Sequence, residues 1–399
     1  MANDSLANQP CLIVEVRPRQ ASKPQCSGCG KICVGYDHMA QPRRFEFVPL
    51  WNIPIFLSYT MRRVNCPHCG IKVERVPWAR GKHGCCDVFC HFLARWAKRM
   101  SWKETAECFE VSWDTVCRSV SWMVDYGLKH RSLDGIEALG VDEVAYSKGH
   151  KYMTLVYQID PGLKRLIAVL KKRTASSLRN FFRDEFTQQR CDQVKVVCSD
   201  MWRAYLKVFA EMMPAALNVL DRFHLVKKLG EAVDQVRRDE TKRLHKEGYE
   251  PILKNSRYCF LKRPENLSKK QTLTLAQVLQ YDLRSVRAYY LKESFDAFWH
   301  YKSPYWARWY LKKWCTRAMR SKLQPIKKFV RTLRIHEELL MNYFKAKKAY
   351  SSGIVEGLNI KINLAIRKAY GYRSFEIMKV AIFHQLGDLP EPEVTHRFC

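Results

Sequence analysis

The chain has 399 residues, 47% of them hydrophobic, and a formal charge of +30 from 69 basic and 39 acidic side chains. That hydrophobic content excludes wholesale disorder, and the length supplies at least one large core, with two or three folding units expected. No run of the chain approaches the roughly eighteen apolar residues of a membrane span, and the opening MANDSLANQPCLIVEV lacks the charged region and sustained apolar run of a signal peptide. The charge excess goes beyond what solubility asks for and points to a polyanionic partner, because Lys and Arg that neutralise phosphates release condensed counterions. The 16 cysteines are too dilute for a small secreted disulfide scaffold. A reducing cytosol is therefore the expected compartment, and paired cysteines are read first as metal ligands.

Leu12, Ile13, Val14 and Val16 predict a short strand. Cys26 and Cys29 then form C-S-G-C-G, and Cys66 and Cys69 form C-P-H-C-G, on either side of a strand-like segment from Arg43 to Arg63. Two such knuckles offer four thiolates to one tetrahedral zinc ion, and such a site is structural because no coordination position stays open. Cys33, His38, His68, Cys85, Cys86 and Cys90 lie near enough in sequence to compete as ligands.

The next stretch is basic, with Arg75, Arg80, Lys82, Arg95, Lys98 and Arg99 on a turn and a helix from about Asp87. SWKETAECFEVSWDTVCRSVSWMV reads as a helix-turn-helix: Lys103 to Phe109, a turn at Val111, and a second helix capped by Ser112. Trp113, Asp114, Thr115 and Arg118 fall on or near its outward face, where side chains reach base edges or phosphates. An ordinary helical bundle attached to the zinc unit is the rival reading. A linker is expected from Gly127 to Gly135.

GVDEVAYSKGHKYMTLVYQID, from Gly140 to Asp160, reads as a β-hairpin with Asp142 in its first strand. A charge there is costly unless paired, and the plain alternative is an edge strand with Asp142 facing water. A third strand (Leu166 to Leu170), a helix (Thr174 to Phe186), the strand KVVCSD ending on Asp200, a helix and a fifth strand follow. This β-β-β-α-β-α-β order is that of a ribonuclease-H-like α/β layer. From Leu225 to Lys348 the pattern is of long helices, with Trp299, Trp306, Trp309 and Trp314 among basic residues. Such rings could stack on bases or simply fill a core. In the last helical stretch Ser351 or Ser352 is a candidate cap, Glu356 lies about a turn inside, and Ile360, Leu364 and Ile366 are expected to be apolar contacts.

The two cysteine knuckles, WKETAECFEVSWDTV, GVDEVAYSKGHKYMTLV, VVCSD, LDRFHLVK and SGIVEGLN before RKAYGYRSF together resemble the ISL3-type insertion-sequence transposases, a DDE family. The resemblance covers most of the chain. It implies a zinc-binding domain at 1–84, a helix-turn-helix DNA-binding domain at 85–132, a ribonuclease-H-like catalytic domain at 133–224 and 350–385, and an all-helical insertion at 225–349. It implies that Asp142, Asp200 and Glu356 bind two Mg2+ or Mn2+ ions about 4 Å apart, with Asp142 as the bridge and His224 as a further catalytic candidate. Lys148, Lys151, Lys361, Arg367 and Lys368 would offset the repulsion between these carboxylates and DNA. The expected activity is binding of terminal inverted repeats, cleavage and strand transfer into target double-stranded DNA. A homodimer at work in the bacterial cytoplasm, associated with the nucleoid, is expected. The alternatives are a metal-dependent nuclease or resolvase on the same fold, and a zinc-containing DNA-binding regulator without catalysis.

Overall fold

Strands β1 (Leu12–Glu15), β2 (Val34–His38), β3 (Arg43–Leu50), β4 (Ile53–Tyr59), β5 (Arg62–Cys66) and β6 (Gly70–Val73) open the chain. They form two three-stranded sheets in the orders β1-β4-β3 and β2-β5-β6. This computed structural model describes residues 10–147, 149, 151–346, 353–369 and 371–393. Two compact units divide the chain, Met1–Ser132 with Leu364–Cys399, and Leu133–Asn363.

In the first unit, helices α1 (Asp87–Ala97), α2 (Trp102–Cys108) and α3 (Trp113–His130) follow the sheets. The start of α2 is set by a capping box, in which Ser101 Oγ accepts the Glu104 N–H at 3.1 Å and Glu104 accepts the Ser101 N–H at 2.7 Å. Ser112 caps α3 as expected, accepting the Thr115 N–H at 3.1 Å. The expected linker is corrected at its first residues: α3 runs on through Gly127 to His130. Gly127 is there for packing, since a Cβ on it would meet the Leu389 side chain at 2.5 Å.

The second unit is built on a five-stranded sheet. Its strands are β7 (Ala138–Ser147), β8 (Lys151–Asp160), β9 (Leu163–Leu170), β10 (Val196–Ser199) and β11 (Leu217–Leu220), in the order β11-β10-β7-β8-β9. β8 is antiparallel to both β7 and β9, whereas β10 is parallel to both β7 and β11. β8 is buried over seven consecutive residues, which is why MTLVYQI reads as a continuous run rather than an alternating one. Helix α4 (Ala175–Asn180) passes into a wider π-helical turn at Phe181–Phe186, followed by α5 (Gln188–Cys191) and α6 (Arg203–Met212). The wide turn lets Phe181, Phe182 and Phe186 all join the core under the sheet with Leu178.

The helical segment comprises α7 (Arg222–Lys246), α8 (Arg257–Leu261), α9 (Lys269–Leu279), α10 (Arg284–Asp296), α11 (Pro304–Arg320), α12 (Gln324–Ile335) and α13 (Glu337–Lys345). Its core contains Phe260, Phe295, Phe298, Trp299, Trp314 and Phe329. Buried Glu240 of α7 holds the start of α10, accepting the Arg284 and Ser285 N–H groups at 2.8 and 2.6 Å and the Ser285 hydroxyl at 2.6 Å. Helices α14 (Gly353–Lys368) and α15 (Phe375–Leu386) end the described fold. The residues that α14 buries are Val355, Leu358 and Ile362. Ile360 and Leu364, expected to be contacts, are exposed because they lie on the opposite side of the helical period. The capping candidates Ser351 and Ser352 lie outside the described residues.

Candidate active site and metal centre

Alternation along β7 sends Leu139 and Val141 to the α4–α6 side of the sheet and leaves Gly140 and Asp142 on the other. The register carries the second aspartate to the same place. Gly140 pairs with Cys198 of β10, and Cys198 with Val219 of β11. Two residues further on, Asp142 in the middle of β7 and Asp200 and Asp221 just past the ends of β10 and β11 therefore come level on three adjacent parallel strands, which are spaced about 4.8 Å apart. Burial raises the Asp142 carboxyl above its ordinary pKa, and the negative fields of Asp221 and Asp200 add to that, while His224 opposes it.

Helix α14 covers this face at close range. A Cβ on Gly140 would lie 2.6 Å from Val355 Cγ2. Asn359, one turn after Glu356, donates through Nδ2 to Asp142 Oδ2 at 2.5 Å and accepts the buried Tyr157 hydroxyl at 2.6 Å. The Glu143 N–H donates to Asp142 Oδ1 at 2.8 Å. Residues three apart on a helix have Cβ atoms about 5–6 Å apart, so the Asn359 bond puts Glu356 within a helical turn of Asp142. The Trp202 N–H donates to Asp200 Oδ1 at 2.7 Å.

Asp221, Asn359 and Tyr157 escaped the sequence reading. Asp221 accepts the Phe223 N–H at 2.6 Å, so it caps α7, and its Oδ2 lies 3.0 Å from His224 Nδ1. That carboxylate raises the His224 pKa, and Asp142 and Asp200 act in the same direction. Glu143, beside Asp142 in sequence, is pushed up to about 7 by burial, against the opposing pull of Arg173 at 2.8 Å. Three carboxylates level across three neighbouring strands, each accepting at least one oriented N–H, are a hard oxygen set that suits a divalent cation. They do not close on one another to the spacing of a finished cage. Among the described residues, one group of Cys, His, Asp or Glu brings all its ligand atoms within 4.8 Å, and that group is Cys26, Cys29, Cys66 and Cys69.

The thiolate group has the expected membership. Cys29 Sγ and Cys66 Sγ are 3.6 Å apart, and the Gly28 N–H points at Cys26 Sγ at 3.4 Å. A Cβ on Gly28 would sit 3.1 Å from Cys69 Sγ, so the knuckle needs glycine for space. The His68 N–H lowers the Cys66 pKa to about 6, and bonding to Cys29 and burial push Cys69 up to about 12. Four sulfurs this crowded cannot all ionise without a cation between them, which is the chemistry zinc supplies. His68 sits instead 3.1 Å from Lys31 Nζ, and Cys85, Cys86 and Cys90 lie outside the group.

The residues expected to touch DNA fall in several places. Arg80, Lys82, Thr115 and Arg118 line one concavity with His83 and Trp122. Within it Arg80 is already engaged, by Asp87 at 2.7 Å and the Trp122 ring at 3.6 Å. Arg95, Lys98 and Arg99 are exposed at the end of α1, with Lys98 Nζ 3.4 Å from Glu391 and the Arg99 carbonyl accepting from Lys368 at 2.8 Å. Trp113 packs on Trp102 at 5.7 Å under the Arg373 guanidinium at 4.4 Å. Lys151, Lys361 and Arg367 are exposed. Lys148 lies outside the described residues.

An α/β sheet that brings three aspartates level and a four-cysteine cluster are the chemistry-bearing features of the described residues. The family model for ISL3-type transposases matches residues 139–382. The chain belongs to that family, and it is a transposase. It is 28% identical over 354 residues to the transposase of insertion sequence element IS1001 from Bordetella parapertussis, covering 88% of this chain and 86% of that one. It is 29% identical over 387 residues to the transposase of IS1557 from Mycobacterium tuberculosis, covering 91% and 86%. The Drosophila P element transposase in its strand transfer complex aligns with 77% of the chain and 93% of its own, at 13% identity and a TM-score of 0.42. No described helix is long and apolar enough to cross a membrane.

Proposed function

We propose that this transposase cleaves the ends of its insertion sequence and joins them to target DNA at a ribonuclease-H-like site formed by Asp142, Asp200 and Glu356. The observation that carries the reading is the level alignment of Asp142 and Asp200 on adjacent parallel strands, with the Glu356 helix tied to Asp142 through Asn359. The strand order β9-β8-β7-β10-β11, with β8 antiparallel to its neighbours, supports the fold assignment. Two Mg2+ or Mn2+ ions held by these carboxylates would supply Lewis-acid activation of the attacking oxygen and stabilisation of the leaving oxygen.

The chain's own groups do the rest. Asn359, oriented by Tyr157, fixes the Asp142 carboxylate and leaves each of its oxygens a further lone pair. Asp221 holds His224 in one orientation and favours its protonated form, which suits contact with a DNA phosphate. The zinc cluster, the helix-turn-helix of α2 and α3, the basic residues Arg80, Lys82, Arg95, Lys98, Arg99 and Arg118, and Trp113 and Thr115 would bind the terminal inverted repeats, and Lys148 would also contact DNA. Lys361, Arg367 and Lys368 would add positive charge to α14, the helix that carries Glu356. The domain layout we adopt is zinc unit 1–84, helix-turn-helix 85–132, catalytic 133–224 with 350–385, and helical insertion 225–349. Two ends must be joined together, so the working form would be at least a homodimer. The test is strand joining of labelled terminal duplex by full-length protein with Mg2+. Wild type should give joined products, and Asp142→Ala, Asp200→Ala and Glu356→Ala should give none while still binding the duplex. Joined products from all three variants would overturn the assignment, and shortened strands alone from wild type would make the protein a nuclease.

A further inference from the structure

The helical segment exposes aromatic rings that its core does not use. Trp299 and Trp314 are each 2% exposed, and Trp314 Nε1 donates to the Leu291 carbonyl at 3.0 Å, so core packing accounts for both. Trp306 and Trp309, by contrast, are 52% and 42% exposed, and Tyr305 is 70% exposed. The three rings form one cluster, with Tyr305 and Trp306 centroids 5.3 Å apart and Trp306 and Trp309 5.9 Å apart, both edge to face.

The helical period places these rings in line with a second feature. On α11 the side that carries Tyr305 and Trp309 continues into Lys312, Lys313 and Arg320, all exposed, with Trp306 at its edge. The first two turns of this face are aromatic, and Lys312, Lys313 and Arg320, with Thr316 among them, make up the rest. Lys313 Nζ joins the halves, lying 3.7 Å above the Trp309 ring. PYWARWYLKKWCTRAMR contains no acidic residue, and Glu337 and Glu338 on the flank are paired with Arg308 at 3.8 and 2.7 Å. No Leu, Ile, Val or Phe occupies the exposed face, so it lacks the aliphatic groups by which a surface helix enters a bilayer. Exposed rings that run into a row of cations match a ligand with flat apolar faces strung on an anionic backbone.

We propose that this face of α11 binds unpaired DNA bases, the three rings stacking on bases and Lys312, Lys313 and Arg320 holding the phosphates beside them. The face is about 22 Å long, enough for several nucleotides. The proposal rests on the DNA-transposase reading and adds the substrate of the insertion: the single strand exposed where an element end is opened or cut.

The test compares full-length wild type, the double variant Trp306→Ala/Trp309→Ala and the conservative double variant Trp306→Phe/Trp309→Phe. Each is titrated with fluorescent single-stranded oligothymidylate, with terminal duplex and with anionic phospholipid vesicles. Because both side chains are exposed, all three proteins should keep the wild-type circular dichroism and melting temperature. The alanine variant should bind the single strand at least about tenfold more weakly and the duplex within about twofold of wild type, and the phenylalanine variant should recover most of the loss. Unchanged single-strand affinity in the alanine variant, an equal loss on duplex, or a loss confined to vesicles would each overturn the proposal while leaving a protein that joins strands. A wild type that binds neither DNA form would overturn the transposition reading beneath it as well.

Discussion

Gly140→Ala should disable the enzyme more than it unfolds it. The added methyl would lie 2.6 Å from Val355 Cγ2 and 3.2 Å from Ile159 Cγ2, on the face where α14 meets β7. Carbon atoms pack best at about 3.5–4.0 Å, so one partner must retreat by about 1 Å. A valine inside a helix keeps one strongly preferred χ1 rotamer and cannot turn its methyl away cheaply, so the movement falls on α14 as a whole. Overpacking of this kind costs about 1–3 kcal/mol. The same shift carries Glu356 and Asn359 away from Asp142, and a displacement of about 1 Å at a reacting centre can cost on the order of 100-fold in rate. Urea denaturation gives the stability term and strand joining the rate term. Val355→Ala removes the colliding methyl, so the Gly140→Ala/Val355→Ala double variant should recover activity relative to Gly140→Ala alone, with a favourable coupling energy. Additive losses in the double variant, or a Gly140→Ala enzyme of wild-type rate, would refute the close approach of α14 to this strand.

Other perturbations read other parts of the structure. The full-length protein should contain about one zinc ion per chain, and Cys66→Ser should lose it with a fall in melting temperature; metal content unchanged in Cys66→Ser would remove the cluster as its site. His384 is held at about 3 by burial and by Lys98, against 6.5 for the free side chain, with Glu391 opposing. The unfolded chain therefore binds the extra proton first. The contribution of His384 to stability should be unchanged above about pH 6.5 and fall below it by roughly 1.4 kcal/mol per pH unit, or about 2 kcal/mol by pH 5, read as the difference between wild type and His384→Leu. His384→Leu should flatten that limb, and identical acid slopes for the two proteins would show that the imidazole is not held neutral. Glu240→Ala strands the Arg284 and Ser285 N–H groups at the start of α10 and should cost about 3 kcal/mol or more in urea denaturation; a loss under about 1 kcal/mol would contradict the buried cap. Duplex affinity should fall steeply with salt, and a flat log–log plot would detach the net charge of +30 from DNA binding.

The hairpin around Asp142, the strand ending at Asp200 and the four zinc-type cysteines could be read from local pattern, because strand alternation, turn residues and C-x2-C spacing are short-range signals. The level alignment of Asp221 with Asp200 could not. It depends on the parallel register of β10 and β11, and an aspartate before a helix already has an adequate explanation as a cap. Asn359 and Tyr157 carry no local signal, since an amide on a helix and a phenol in a buried strand are ordinary until they are found bonded to each other. Among the tryptophans, composition could not separate Trp299 and Trp314 from Trp306 and Trp309, because that difference is set by which side of each helix faces the core. The contact side of α14 was misassigned for the same reason of phase: Ile360 and Leu364 are apolar but lie off the stripe of Val355, Leu358 and Ile362.

The central claim is that Asp142 contributes an oxygen ligand to a catalytic divalent cation, and exchanging that oxygen for sulfur tests it most directly. Strand joining by Asp142→Cys should be absent with Mg2+, which avoids thiolates, and should be restored in part with Mn2+, which tolerates them better. An Asp142→Cys protein that joins strands equally well with either ion would contradict the claim, as would one that remains inactive with Mn2+ while Asp142→Ala is active.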